Sequence, residues 1–205
     1  MKNYIMETIK FYDDHANDYF KKTLALQDKV WMEKFSSHLQ KGSKVLDMGC
    51  AFGRDCKTFV EKGFDTYGID LSKKMIDKAK MFEKKAKFKV MDILKMKFPE
   101  EYFDGVWASA ILLHLSKDDV KIALKEIWKV LKKGGIVFIG VKEGSGQGLF
   151  GDKRYDNSRK FYSYYSEKEI RDLLNICGFS ILELKLIKKD NNYDDAPVIH
   201  LIARK

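Results

Sequence analysis

Residues 45–53 read Val-Leu-Asp-Met-Gly-Cys-Ala-Phe-Gly. A short apolar run is closed by an acid, and small residues then recur at every second position: Gly49, Ala51 and Gly53. Such a turn lets the backbone pass close to a bound ligand, because side chains there would collide with it. A dinucleotide fingerprint needs a further glycine three residues after the second, to open a helix over a pyrophosphate. Arg54, Asp55 and Cys56 follow instead, with no Lys-Ser/Thr pair of the kind that cradles phosphates in nucleotide hydrolases. The pattern suits a nucleoside ligand that carries a cation or hydroxyls in place of phosphate.

Two further acids sharpen the pattern. Phe-Asp-Thr-Tyr-Gly-Ile-Asp at 64–70 predicts the next strand, ending at Asp70. In nucleotide-binding βαβ units an acid about 20 residues beyond the glycines accepts hydrogen bonds from ribose hydroxyls. Asp92 follows the alternating Lys87-Phe88-Lys89-Val90-Met91. Three acids at three strand ends would line one crevice of an open sheet, where ligands bind in such folds.

The rest of the chain supplies the layers. The patterning predicts helices at 3–22, 27–40, 53–62, 72–83, 117–132 and 166–176. Ser72 caps one of them and Ser166 with Glu169 forms a capping box on another. Predicted strands at 44–48, 64–70, 87–91, 103–109 and 136–142 alternate with the helices, and a terminal hairpin at 180–188 and 198–204 is joined by a polar Asn/Asp turn. The alternation implies an α/β fold with a doubly wound parallel sheet, and the hairpin adds an antiparallel strand. A chain of 205 residues suffices for a single domain over 1–205.

These residues resemble the class I S-adenosylmethionine-dependent methyltransferases, over nearly the whole chain. Residues 45–53 match the first motif, Gly-Ile-Asp at 68–70 the second and Met-Asp-Ile at 91–93 the third. Phe103 to His114 resembles the fourth, and Val130-Leu-Lys-Lys-Gly-Gly135 the turn before the fifth strand. Ala51 departs from the commoner glycine and fits if its φ is negative. The resemblance implies a Rossmann-like seven-stranded sheet of order 3-2-1-4-5-7-6, with S-adenosylmethionine as cofactor and S-adenosylhomocysteine as product. It also implies roles. Gly49 and Gly53 let the backbone approach the methionine part of the cofactor, and Asp47 and Arg54 interact with that part. Asp70 holds the ribose hydroxyls, and Leu71 lies on the adenine face. Asp92 takes the adenine amine beside Ile93, and Ala108 offers its carbonyl to the ammonium.

Two decorations flank this core. In the N-terminal helical segment, 1–41, Tyr12 and Tyr19 lie seven residues apart on one helix face. They either pack the segment onto the sheet or act as a lid touching the cofactor. The stretch 143–165 opens with Gly144, Gly146, Gly148 and Gly151, which predict a mobile loop. It continues with Tyr155, Phe161, Tyr162, Tyr164 and Tyr165, and contact with the substrate is expected there, the alternative being a hairpin whose aromatics pack against the sheet. A sulfonium methyl needs chiefly an oriented, desolvated acceptor. A base is required only when that acceptor must lose a proton, and His114, titratable near neutrality, is the candidate catalytic residue, the alternative being a histidine that orders the loop.

The net charge of +9 raises the question of a nucleic-acid partner, but only five of the 39 basic residues are arginine and the lysines are widely spread. A small-molecule acceptor is the expected partner. An RNA-modifying enzyme on the same core, or a non-catalytic S-adenosylmethionine-binding protein, remains as an alternative, and both monomer and homodimer stay open. No metal-ligand spacing, membrane-spanning run or secretory signal is visible. Cys50, Cys56 and Cys177 fit a reducing cytoplasm.

Overall fold

A computed structural model describes residues 1–188 and 196–205. The Asn/Asp turn expected between the last two strands lies mostly outside the described residues.

The central strands are β1 (Lys44–Met48), β2 (Asp65–Asp70), β3 (Lys87–Val90), β4 (Phe103–Ser109) and β5 (Leu131–Glu143), all mutually parallel in the order β3-β2-β1-β4-β5. Antiparallel β9 (Val198–Arg204) joins the far side of β5, and β8 (Ser180–Ile187) pairs with β9. These seven strands reproduce the expected order.

Side chains alternate between two layers, as a strand covered on both faces requires. Val45, Trp107, Phe138 and Ile202 pack with Trp31, Met32 and Phe35 of α3 (Lys29–Ser36) and Phe59 of α4 (Arg54–Glu61). Their neighbours Leu46, Val106, Val137 and Leu201 pack with α6 (Lys117–Val130) and α7 (Glu167–Ile176) on the other face. Trp107 stacks on Phe138 with centroids 3.8 Å apart, and both are fully buried.

Four expectations are corrected. The single helix expected over 3–22 divides at His15 into α1 (Asn3–Asp14) and α2 (Ala16–Thr23), where the His15 ring turns to Ser158 (Nε2 to Oγ, 2.9 Å). The helix expected to reach 40 stops at Ser36. The helix expected to reach 132 stops at Val130, because the carbonyls of Lys129 and Val130 accept from the N–H groups of Glu101 and Tyr102. Leu131 then opens β5 opposite Phe103.

The fourth correction concerns 143–165, which is no mobile loop. It forms an antiparallel hairpin, β6 (Gln147–Asp152) and β7 (Ser158–Tyr165), with Tyr155, Phe161, Tyr162 and Tyr165 buried. β7 pairs with the last two residues of β5, past the point where the pairing of β4 ends at Gly140. The hairpin also meets the N-terminal segment. Phe161 donates its N–H to Thr8 Oγ1 (3.1 Å), and its ring lies 4.3 Å from Tyr4. The two decorations are therefore one layer.

Phe138 has neighbours on both sides of its ring and no polar atom to satisfy, so its removal leaves a cavity. Phe138→Ala is expected to lower unfolding free energy by about 3–5 kcal/mol, read from urea denaturation.

Candidate active site

β1, β2 and β4 run parallel, so their carboxyl ends share one edge of the sheet. A cavity opens there, lined by Asp47, Asp70 and Asp92 and roofed by Ile5, Thr8, Tyr12 and Tyr19 of α1 and α2. The hairpin contributes Lys160 and Tyr162 to its wall.

Asp47 is 3% exposed and accepts from Cys56 Sγ at 3.2 Å. Burial, followed by the neighbouring charge of Asp55, pushes its carboxyl well above the ordinary range. Asp55 is the hub beside it, accepting from Arg54 Nε at 2.8 Å and from Trp107 Nε1 at 3.0 Å. Arg54 also donates to the Thr23 carbonyl at 2.9 Å and so ties the end of α2 to the start of α4. Asp70 accepts from the N–H groups of Ala51 (3.0 Å) and Ser72 (2.8 Å), one on each oxygen. Burial raises its carboxyl to about 6 in spite of them. Asp92 accepts from the Leu94 N–H at 2.9 Å.

The loop after β1 holds strain. Gly49 has φ +77°, and a Cβ there would lie 2.6 Å from Ile111. Ala51 has φ +46°, contrary to the negative value its alanine suggests, and Ala110 on the opposite wall has φ +56°. Each left-handed alanine costs about 1–2 kcal/mol. Such cost gathers where a backbone is held for a ligand.

His114 closes the inner wall, in a 3₁₀ turn at Leu112–His114. Its Nδ1 lies 2.7 Å from the Phe161 carbonyl, which can only accept, so Nδ1 carries the proton. Nε2 then accepts from the Tyr12 hydroxyl at 2.8 Å. Burial, reinforced by Lys160, holds the imidazole down at about 3. Tyr12 in turn packs edge-on against Tyr19 at 5.2 Å. The N-terminal segment is further anchored by Asp13, which accepts from Ser72 Oγ at 2.5 Å.

Of the residues expected at the site, Tyr12, Tyr19, Asp47, Gly49, Arg54, Asp70, Leu71, Asp92, Ile93 and His114 all line this cavity. Gly53 and Ala108 do not. Gly53 precedes the first turn of α4 at φ +82° and packs against Phe88 and Ala79. Ala108 is fully buried in the α6-side core, and Ser109 and Ala110 reach the cavity in its place. Lys142, Arg154 and Lys160 escaped sequence reasoning. The available signal was Lys142, a cation ending an otherwise apolar strand. The described residues hold no cluster of metal-ligating side chains and no helix long and apolar enough to cross a membrane.

The site fits an S-adenosyl cofactor. A carboxylate offers about four acceptor positions. Asp70 spends two on backbone N–H groups and lines the cavity, so it can still receive two hydroxyls.

Comparison with known proteins agrees with this geometry. A family model described as "Methyltransferase domain" matches residues 46–139. Phosphoethanolamine N-methyltransferase of Plasmodium falciparum is 32% identical over 147 residues, covering 69% of this chain and 55% of that protein. The chain thus spans about half the length of that relative. Among solved structures, a SAM-dependent methyltransferase of Methanosarcina mazei superposes with a TM-score of 0.77 at 22% identity, over 84% of this chain and 96% of that one. The 1,6-didemethyltoxoflavin-N1-methyltransferase of Burkholderia thailandensis, solved with its substrate and S-adenosylhomocysteine, superposes at 0.74 with 21% identity, over 100% and 91%.

The raised carboxyl of Asp70 carries a pH signature. Its folded value, about 6, exceeds the unfolded value of about 3.9. The folded ligand-free protein therefore holds more protons between the two values, and stability falls as pH rises through that window. The stabilising contribution is complete below about pH 4 and lost above about pH 6. Urea midpoints followed across this range should decline, and Asp70→Asn should flatten the decline.

With three carboxylates at the ends of β1, β2 and β3 facing one cavity, in a sheet of this order, residues 46–139 match a methyltransferase domain and the chain shares the fold of S-adenosylmethionine-dependent methyltransferases.

Proposed function

We propose that this protein transfers the methyl group of S-adenosylmethionine to a small-molecule acceptor held in the same cavity. The observation that carries the reading is the convergence of Asp47, Asp70 and Asp92 beneath an aromatic roof. When bound, the cofactor supplies an electrophilic sulfonium methyl group, and its transfer leaves S-adenosylhomocysteine. Asp70 receives the ribose hydroxyls, Asp92 with Ile93 the adenine edge, and Leu71 the adenine face. Asp47 attracts the cationic methionine end, and Arg54 its carboxylate. Tyr12 and Tyr19 cover that end and exclude water, which favours a reaction that disperses charge. The two relatives named above act on small molecules, in keeping with a roofed cavity in place of an open groove. The domain 1–205 is read as one catalytic unit with its lid and its hairpin. The cytoplasm, where its thiols stay reduced, is the compartment assumed.

The expected base role of His114 changes in this reading. A neutral imidazole held at about 3, its Nε2 already accepting from Tyr12, is a poor proton acceptor at neutral pH. We assign it as a positioning residue that fastens the lid.

Calorimetry should detect S-adenosylmethionine binding, and Asp70→Ala should weaken it by about 1.5–3 kcal/mol, as for lost hydrogen bonds to a charged group. A screen of small acceptors should yield S-adenosylhomocysteine. Unchanged affinity in Asp70→Ala would remove the ribose assignment. For His114→Gln, the KM for cofactor should rise several-fold with kcat little altered. The wild-type rate should show no histidine break between about pH 5 and pH 8. A collapse of kcat with KM unmoved would restore the base role.

A further inference from the structure

Besides the three acids, the wall of the cavity carries cations. Lys142, at the tip of β5, and Lys160, in β7, enter it, with Arg154 from the turn joining β6 to β7. Lys160 is only 2% exposed and Lys142 8%. Long basic side chains ordinarily carry their charge out to water along an apolar stem. These two instead end at an internal wall. Lys160 Nζ lies 3.0 Å from Asp152 Oδ2, and Arg154 Nη2 lies 2.5 Å from the same oxygen, so one carboxylate oxygen meets two cations. The ammonium sits 4.2 Å from the Phe11 ring centroid and 5.4 Å from that of Tyr162, and Lys142 Nζ lies 4.4 Å from the Tyr162 centroid. The rings hold both lysine heads in place.

The sign of the field around these cations shows separately at His114, which lines the same cavity. After burial, Lys160 is the strongest influence keeping that imidazole neutral, Lys142 adds to it, and Asp152 only partly offsets them. A buried ammonium costs several kcal/mol in lost hydration. Placing two at the wall of a ligand cavity, against rings that fix their positions, builds a receptor for negative charge.

We propose that the acceptor carries an anionic group, a phosphate monoester or a carboxylate, seated against Lys142 and Lys160. Its methyl-accepting atom then faces the cofactor. This assignment rests on the reading that cofactor and acceptor share the cavity, and it adds a charge class to that acceptor. Tyr162 lies between the two lysines and supplies an apolar wall for the body of the molecule.

The test uses the whole protein, with and without saturating S-adenosylhomocysteine. Inorganic phosphate and, separately, sodium acetate are titrated against sodium chloride at matched ionic strength, following intrinsic fluorescence and thermal midpoint. Saturable binding of at least one probe in the low-millimolar range or tighter is expected, and the stronger of the two tells a phosphate from a carboxylate site. Lys160→Met should weaken it by about tenfold or more, the loss of one charge-assisted contact. Lys142→Met provides the same comparison should Lys160→Met fail to fold. Phosphate and acetate no better than chloride on wild type would overturn the proposal, as would equal binding by a folded lysine variant. Failure of the methyltransferase reading shows elsewhere, as an absence of heat with S-adenosylmethionine and S-adenosylhomocysteine. The anion titration of the ligand-free protein is independent of that result.

Discussion

The parallel pairing of β1 with β2 on one side and β4 on the other is the constraint on which the molecule depends. Asp47 lies opposite Gly68 and Trp107, and Asp70 opposite Val90. Side chains alternate at every residue, so a slip of one position would carry Asp47 to the opposite face and bring a core residue into its place. The two apolar layers resist such a slip, because Val45 and Leu46 are both fully buried in opposite cores. Hydrophobic register thus places the carboxylates. Burial there works against their charged forms, as the raised carboxyls of Asp47 and Asp70 record.

The second level of organisation is the union of the two decorations. α1 packs on β7, Thr8 bonds to Phe161, His15 to Ser158, and Tyr12 to His114. Arg54 and Asp13 fasten the same segment to α4 and to the start of α5 (Lys73–Phe82). Roof and wall are therefore neither separate nor loose, and each of these ties except His15–Ser158 includes a residue that lines the cavity. Aromatic rings fill the space between those ties, with Tyr155 flanked by Phe11 at 5.1 Å and by His15 at 5.2 Å.

Much of the core was legible in the sequence. Strand ends marked by Asp47, Asp70 and Asp92, the Ser72 cap and the Ser166–Glu169 capping box are local signals, and local chemistry realised them. A hairpin over 143–165 was legible only as the alternative to a mobile, substrate-contacting loop. Its glycines suggest freedom, but its burial depends on packing against α1, where Phe161 meets Thr8 across 153 residues of sequence, which no window of sequence reports. The boundary at Val130 escaped for the same reason, since the carbonyls that end α6 are taken by Glu101 and Tyr102. Gly53 and Ala108 show the limit of motif carry-over. Both occupy motif positions, yet one serves helix packing and the other the core. Lys160 was hidden among aromatics in a stretch where only tertiary contact buries it.

The protonated tendency of Asp70 has a consequence for how the ligand-free and loaded forms interconvert. Near neutral pH a fraction of molecules carries a hydrogen on that carboxyl, and a partner presenting hydroxyl donors needs it bare. Association therefore expels part of a proton into the surrounding buffer. The heat of mixing will then vary with the ionisation enthalpy of the buffer chosen, and the apparent dissociation constant will drift with acidity even though the ligand's own charge stays the same.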